Sequence, residues 1–307
     1  MSGNEKRLDL VQRAAEKLGR GDQASLVEKA VEKMAETGPE AAPRPEPAIQ
    51  PTARADATPK QTLKHATIDL VKLQLAGFVT PHCEPVRIAE EFRVLKRPLL
   101  IKAFSKGNLN IPNGHLIMVT SAKPNEGKSF TTLNLAMSIA SEPDLNVLLI
   151  DSDVHKPGIV DFLGIEAGRG LVDLLADSRL DLTDVLVRTN IPNLTVLPSG
   201  TSYPQATELL ASQRMVELTR DIASRYRDRV IIFDAPPVLA SSEPGVLALH
   251  VGQIVFVVEA NKTSQRAVEE ALGLVSACQN ISFVLNKTSF RMGSDRFGSY
   301  SYYEYPR

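Results

Sequence analysis

Three short segments hold residues whose types and spacing suit phosphate chemistry. The first is Ser121-Ala-Lys-Pro-Asn-Glu-Gly-Lys-Ser129, which follows an apolar run at 116–120 and opens a run of helical period. Backbone N–H groups at such a strand-to-helix turn, with the helix N-terminus behind them, favour an anion. Lys128 is placed to reach β- and γ-phosphates, and the Ser129 hydroxyl to bind Mg²⁺. The pattern G-x-x-x-x-G-K-[ST] is kept except at its first position, where Ala122 replaces glycine. The nucleotide-binding stretch is therefore Pro124, Asn125, Glu126, Gly127, Lys128, Ser129 and Phe130. The second segment, Val147-Leu-Leu-Ile-Asp151-Ser-Asp153, ends an apolar run in two carboxylates two residues apart. That spacing sends both side chains off one side of a strand. The third, Val230-Ile-Ile-Phe-Asp234-Ala-Pro-Pro237, ends another apolar run in one carboxylate. Ser129, Asp151 and Asp234 are the candidate Mg²⁺ partners. Together the segments imply a Mg²⁺-dependent purine nucleoside triphosphate site, with ATP and Mg²⁺ as its ligands.

These groups need a scaffold that brings several strand ends to one place. Apolar runs at 116–120, 147–150, 194–197, 230–233, 254–258 and 281–285 read as strands. Patterns at 129–140, 170–176, 205–225, 243–250 and 264–278 read as helices. Strands apolar on both faces, alternating with helices, predict an α/β fold: a mostly parallel sheet with helices on both faces. Ligands of such sheets sit at the carboxyl ends of the strands, where Asp151, Asp153 and Asp234 fall. This domain spans 61–290. Residues 1–60 precede it, partly helical in pattern and then extended, with six of the 20 prolines between Pro39 and Pro59. Residues 291–307 read as a flexible tail.

Composition narrows the function classes. Lys+Arg 35 against Asp+Glu 36 gives a formal charge of −1, so no nucleic-acid partner is expected. Two cysteines among 307 residues exclude a disulfide scaffold and suit a reducing cytoplasm. No apolar run approaches the roughly 18 residues of a spanning helix, and the N-terminus has no leader pattern. The expected location is cytoplasmic, with any membrane association made through a partner.

Four of the six tyrosines, Tyr300, Tyr302, Tyr303 and Tyr305, crowd the last eight residues. Such a phenol cluster reads as a substrate, that is, a set of phosphoacceptors. With the loop SAKPNEGKS, the segments LLIDSDVHKP and VIIFDAPP, and LPSGTSYPQATELLAS, it resembles the bacterial tyrosine kinases of the capsule and exopolysaccharide type. The segment from Ile88 to Leu100, IAEEFRVLKRPLL, is similar to the ring-interface helix of that family, and its wording is closest to the exosortase-associated tyrosine autokinases. The resemblance covers about residues 65–307. It implies phosphate-loop autokinase activity on the tyrosine tail and control of exopolysaccharide polymerisation and export. It also implies a ring-shaped homo-oligomer and a membrane-embedded chain-length determinant protein as partner. Two departures stand out: His155-Lys156 where the family usually has Arg, and Pro204-Gln205-Ala206 in place of P-N-P.

In this reading Lys128, Asp151 and Asp153 are catalytic. The phenol proton needs an acceptor in the transition state, and either Asp151 or Asp153 qualifies. By resemblance to related phosphate-loop ATPases, Asn286 contacts adenine. The Arg93, Lys96 and Arg97 cluster is the expected receiver of a phosphorylated tail. The competing reading is a partitioning or division-site ATPase switch, whose second signature lysine would be Lys123, although Pro124-Asn125 stand where that class has glycines.

Overall fold

The computed structural model describes residues 64–81, 87–105, 107, 110–166 and 168–288. The chain divides after Thr58, and every described residue belongs to the unit Pro59–Arg307. The expected N-terminal segment and the tail tyrosines Tyr300, Tyr302, Tyr303 and Tyr305 lie outside the described residues.

Among the described residues eight strands form one sheet: β1 (Lys64–Ala66), β2 (Leu116–Ser121), β3 (Asn146–Asp151), β4 (Val187–Thr189), β5 (Leu194–Leu197), β6 (Arg229–Asp234), β7 (Gln253–Glu259) and β8 (Ile281–Asn286). Their order is β1-β4-β5-β3-β6-β2-β7-β8. Every pair is parallel except β4 with β5, as a mostly parallel α/β sheet requires. The helices are α1 (Leu70–Leu75), α2 (Arg87–Phe104), α3 (Lys128–Ala140), α4 (Ile159–Leu163), α5 (Leu171–Ala176), α6 (Leu182–Val185), α7 (Ala206–Leu210), α8 (Gln213–Arg225), α9 (Glu243–Leu247) and α10 (Gln265–Leu274).

Alternation along the strands builds two cores. Ile117, Val119, Val147, Leu149, Ile232 and Val255 face one side and pack with Phe92 and Leu99 of α2 and Leu135 and Ile139 of α3. Met118, Leu148, Ile150, Ile231, Phe233 and Phe256 face the other and pack with Leu174 of α5, Met215 and Ile222 of α8, and Ala271 of α10. Each such fully buried aliphatic side chain contributes about 1.5–3 kcal/mol. Helix α3 is buried at nearly every position, so the turn that feeds it is held on a rigid element.

Several expectations are corrected. The helical pattern at 205–225 is two helices. Ser212 between them is extended (φ −79°, ψ 159°), and its hydroxyl donates to Leu209 O at 2.6 Å, the local competition by which serine interrupts a helix. The patterns at 243–250 and 264–278 stop at Leu247 and Leu274. Strand β8 is not covered on both faces: it is the sheet edge, and Phe283 and Leu285 are exposed. The three-residue strands β1 and β4 are too short to show a period.

Helix α2 contains the expected interface segment, but one face of it belongs to the core: Ala89, Phe92, Lys96, Leu99 and Ala103 are buried. Lys96 is therefore no part of a basic receiving surface. Its Nζ donates to Ser138 O at 2.6 Å and pairs with Glu142 at 2.6 Å, at the C-terminal end of α3. Arg93 pairs with Glu90.

Candidate functional site

Strand register places the acids. Asp151 ends β3 directly opposite Asp234 at the end of β6, and Val119 of β2 stands across from Asp234. The turn after β2 thus opens beside both carboxylates. Gly127 caps α3 with φ 93°, and Asn125 also has positive φ (67°). A Cβ on Gly127 would lie 2.0 Å from Asn286 Nδ2, so the position needs glycine for its conformation and for close approach.

Lys128 begins α3 and is buried. Its Nζ sits 2.6 Å from Asp153 Oδ2 and 3.3 Å from Ser129 Oγ. Burial pulls the ammonium pKa down, but the charges of Asp234, Asp153 and Asp151 outweigh it and hold the pKa above the ordinary lysine value. Asp151 is fully buried and accepts from the N–H groups of Asp153 (3.2 Å) and Ile159 (3.3 Å). Burial, reinforced by the neighbouring Asp234, pushes its pKa well up. Asp234 is raised by burial as well, against the pull of Lys128 and the hydroxyls of Ser129 and Thr132. Its Oδ1 accepts from Thr132 at 2.8 Å, while its Oδ2 is buried with no hydrogen-bond donor in range among the described residues.

That orphaned oxygen tests the fit of a cation. A buried carboxylate oxygen without a donor is costly, and a divalent cation would satisfy it. Among the described residues no three His, Cys, Asp or Glu side chains make a metal cage by themselves. Mg²⁺ keeps waters and relies on one or two carboxylates plus substrate phosphates. Ser129, Asp151 and Asp234 fit that role.

The structure brings Lys128, Ser129, Asp151, Asp153 and Asp234 together. The other expected residues make contacts of their own around the loop. The Glu126 carboxylate turns into the loop, accepting from Lys123 N (2.8 Å) and the Thr263 hydroxyl. Asn286 Nδ2 donates to Glu126 O at 2.9 Å, so this side chain braces the loop from β8. Phe130 packs on Phe78, with centroids 5.0 Å apart. Pro124 and Asn125 are exposed at the rim, as is the Lys123 side chain.

Some site residues escape a reading of the sequence. Lys287 Nζ donates to Asn125 O at 2.6 Å and pairs with Glu259 at 3.3 Å. Lys156 Nζ reaches Asn125 Oδ1 at 3.2 Å; its signal was the departure at His155-Lys156. His155 Nε2 lies 3.2 Å from the buried Glu243 and 3.3 Å from Thr207 Oγ1. Thr207 lies in the segment LPSGTSYPQATELLAS, but no motif marks Glu243.

A protein-family profile described as an AAA domain matches residues 114–288. Tyrosine-protein kinase YwqD of Bacillus subtilis is 34% identical over 164 residues, which cover 53% of this chain and 68% of YwqD. EpsB of Ralstonia solanacearum is 31% identical over 222 residues, 70% of this chain, but the match spans only 28% of EpsB. Among solved structures, the VpsO kinase domain superimposes with a TM-score of 0.53 at 32% identity, covering 66% of this chain and 100% of that domain. The kinase domain of the Escherichia coli tyrosine kinase ETK shares the fold, with a TM-score of 0.55 at 22% identity over 72% of this chain and 96% of that one.

Proposed function

The chain belongs to the bacterial tyrosine-protein kinase family, and from that premise we propose that it transfers the γ-phosphoryl group of ATP to tyrosine, with its own Tyr300, Tyr302, Tyr303 and Tyr305 as acceptors. The observation that carries this reading is the meeting of Lys128 with Asp153, Asp151 and Asp234 at the mouth of the loop. Phosphoryl transfer demands positioning and charge neutralisation more than covalent chemistry from the protein. The loop N–H groups and Lys128 hold the phosphates. Ser129, Asp151 and Asp234 would hold Mg²⁺, which would supply further charge neutralisation there.

Lys128 reaches a phosphate only by leaving Asp153, to which it is now paired. That exchange frees Asp153 Oδ2 beside the incoming phenol. Asp151 is held by two backbone N–H groups. We therefore assign the proton acceptor to Asp153 and leave Asp151 to the cation.

Tyrosine autophosphorylation makes the chain a control element for exopolysaccharide polymerisation and export. It would act as a homo-oligomer, with the exposed face of α2 in the subunit interface. Among the described residues no helix is long and apolar enough to cross a membrane. The proposed activator is a separate membrane-embedded chain-length determinant protein, which would hold the kinase at the inner face of the cytoplasmic membrane.

The test is incubation of purified protein with ATP and Mg²⁺, read by phosphotyrosine mass spectrometry. Phosphate on the tail tyrosines, absent in Lys128→Met, is expected. ATP hydrolysis with no phosphotyrosine would sink the kinase reading in favour of an ATPase switch.

A further inference from the structure

A second concave site lies at the opposite end of the sheet from the nucleotide loop. It is a groove of about 600 Å³ whose walls come from the turn before β2, from α8 and the residues just after it, and from the residues following α9. Arg220, Arg227, His115 and His250 line it, and among the described residues no carboxylate does. Neither Arg220 nor Arg227 has an ion pair or hydrogen bond among the described residues, whereas Arg225 between them is paired with Asp221 at 2.9 Å. Both imidazole pKa values are lowered, mainly by burial. Burial lowers the pKa of His115 first and the Arg227 guanidinium lowers it further; burial and then Arg220 do the same to His250. Its lining also includes the apolar side chains of Ile111 and Leu249.

Two guanidiniums seven residues apart, one on α8 and one just past its end, sharing a groove lining with two imidazoles and apolar side chains, match an aryl phosphate. Arginine grips a phosphate dianion with paired N–H donors, and an aromatic ring suits the apolar surface. The reach is adequate. The last described residue, Thr288, follows β8, and Tyr300 lies 12 residues beyond it, about 40 Å if extended. The six-residue strand β2 that separates the two ends of the sheet is only about 20 Å long.

We propose that this groove is a docking site for the chain's own phosphorylated C-terminal segment, with phosphotyrosine as the anchoring group. The proposal rests on the kinase reading above for how the segment becomes phosphorylated. Each phosphotyrosine carries about −1.5 to −2 charges. A modified tail is thereby repelled by the acids at one end of the sheet and held by the arginines at the other. The receiving surface is then α8 and its surroundings rather than α2, where Lys96 is consumed by the core.

The experiment uses synthetic peptides spanning residues 296–307, with and without phosphate on the tyrosines, so it needs no catalysis. The protein is the full chain with its four tail tyrosines changed to Phe. Fluorescence anisotropy at physiological salt is expected to show the phosphopeptide binding at least about tenfold more tightly than the plain one. Arg220→Ala with Arg227→Ala should erase that preference while leaving ATP binding unchanged. NMR of the protein with its arginines intact supplies a readout that needs no variant: the His115 and His250 imidazole signals should move on adding phosphopeptide. Equal binding of both peptides, a preference that survives the double substitution, or unmoved imidazoles would overturn the proposal. Phenyl phosphate binding as tightly as the peptide would overturn the tail as occupant and leave a free aryl phosphate in its place. A chain that makes no phosphotyrosine yet binds the synthetic phosphopeptide would separate failure of the kinase reading from failure of the groove.

Discussion

The two ends of the sheet carry opposite chemistry, and they handle charge differently. At the carboxyl ends of the strands, Asp151, Asp153 and Asp234 are buried around one ammonium, and Asp234 Oδ2 is left without a donor among the described residues. At the amino ends, Arg220 and Arg227 line a groove with no acid among its described lining residues. The first end is a compact store of unfavourable electrostatics, stable because a rigid sheet and the buried α3 hold it. The second is open and solvated, so its charges cost little. A site that must neutralise a triphosphate with a cation is thus built under strain, and a site that only receives an anion is not.

The sharpest break of that comparison is Lys128→Met. Tyrosine phosphorylation should fall by about a thousandfold or more, since the loop loses its phosphate cation. The fold should lose a few kcal/mol as well, because Asp153 stays buried without its partner. Adding Asp153→Asn should restore the melting temperature and not the activity. Recovery of activity in that double variant would argue against both roles.

Asp234→Asn separates function from stability in the other direction. Transfer should drop by about a hundredfold or more through loss of cation binding. The nucleotide-free protein should become more stable. Burial raises the Asp234 pKa in the fold, so the carboxyl stabilises below its unfolded pKa, and that contribution is lost as pH rises through the folded value. The advantage of the Asn variant should therefore grow from acid toward neutral pH in chelator-treated protein. Thermal melts across that range check it, and a gap that shrinks with rising pH would contradict the assignment.

The acids were legible because each ends an apolar run, and a buried strand that stops in a carboxylate announces its own position. The sheet was legible for the same reason, through runs apolar on both faces. The bracing of the loop was not. Asn286 reaches Glu126 across 160 positions and Thr263 reaches it across 137, and no local pattern encodes such a meeting. Lys96 looked like a surface cation between Arg93 and Arg97 because charge alone does not reveal helix phase. Its neighbours at the buried spacing, Phe92 and Leu99, were the available clue. The groove was invisible, since its four basic side chains come from three separate segments, none of them unusual.

Gly127→Ala probes that bracing directly and should cost less than loss of a charged group. The alanine meets Asn286 Nδ2 and adopts a positive φ, for about 1–2 kcal/mol of backbone strain plus the lost amide contact to Glu126 O. ATP affinity should weaken by roughly ten- to a hundredfold on that basis. Asn286→Ala in the same chain clears the clash but not the backbone, so it should recover only part of the loss. Full recovery, measured by ATP titration, would place the whole effect in the contact.

The smallest effect separates two kinds of positive charge at the far end of the sheet. Lys96 is buried and satisfies Ser138 O and Glu142 at the end of α3, where a cation also complements the helix dipole. Lys96→Met keeps most of the apolar stem in the core but leaves the Ser138 carbonyl without a donor, a cost of about 1–3 kcal/mol. Glu142 is half-exposed and recovers water, so its share is small. Arg220→Ala with Arg227→Ala should change stability by less than about 0.5 kcal/mol, as for surface groups that pair with nothing. It should raise the pKa values of His115 and His250, because each loses the cation that depresses it. Denaturant melts and imidazole titrations by NMR read both results. A double arginine variant that unfolds as readily as Lys96→Met would make the groove cations structural, and the contrast between the two ends of the sheet would fall with it.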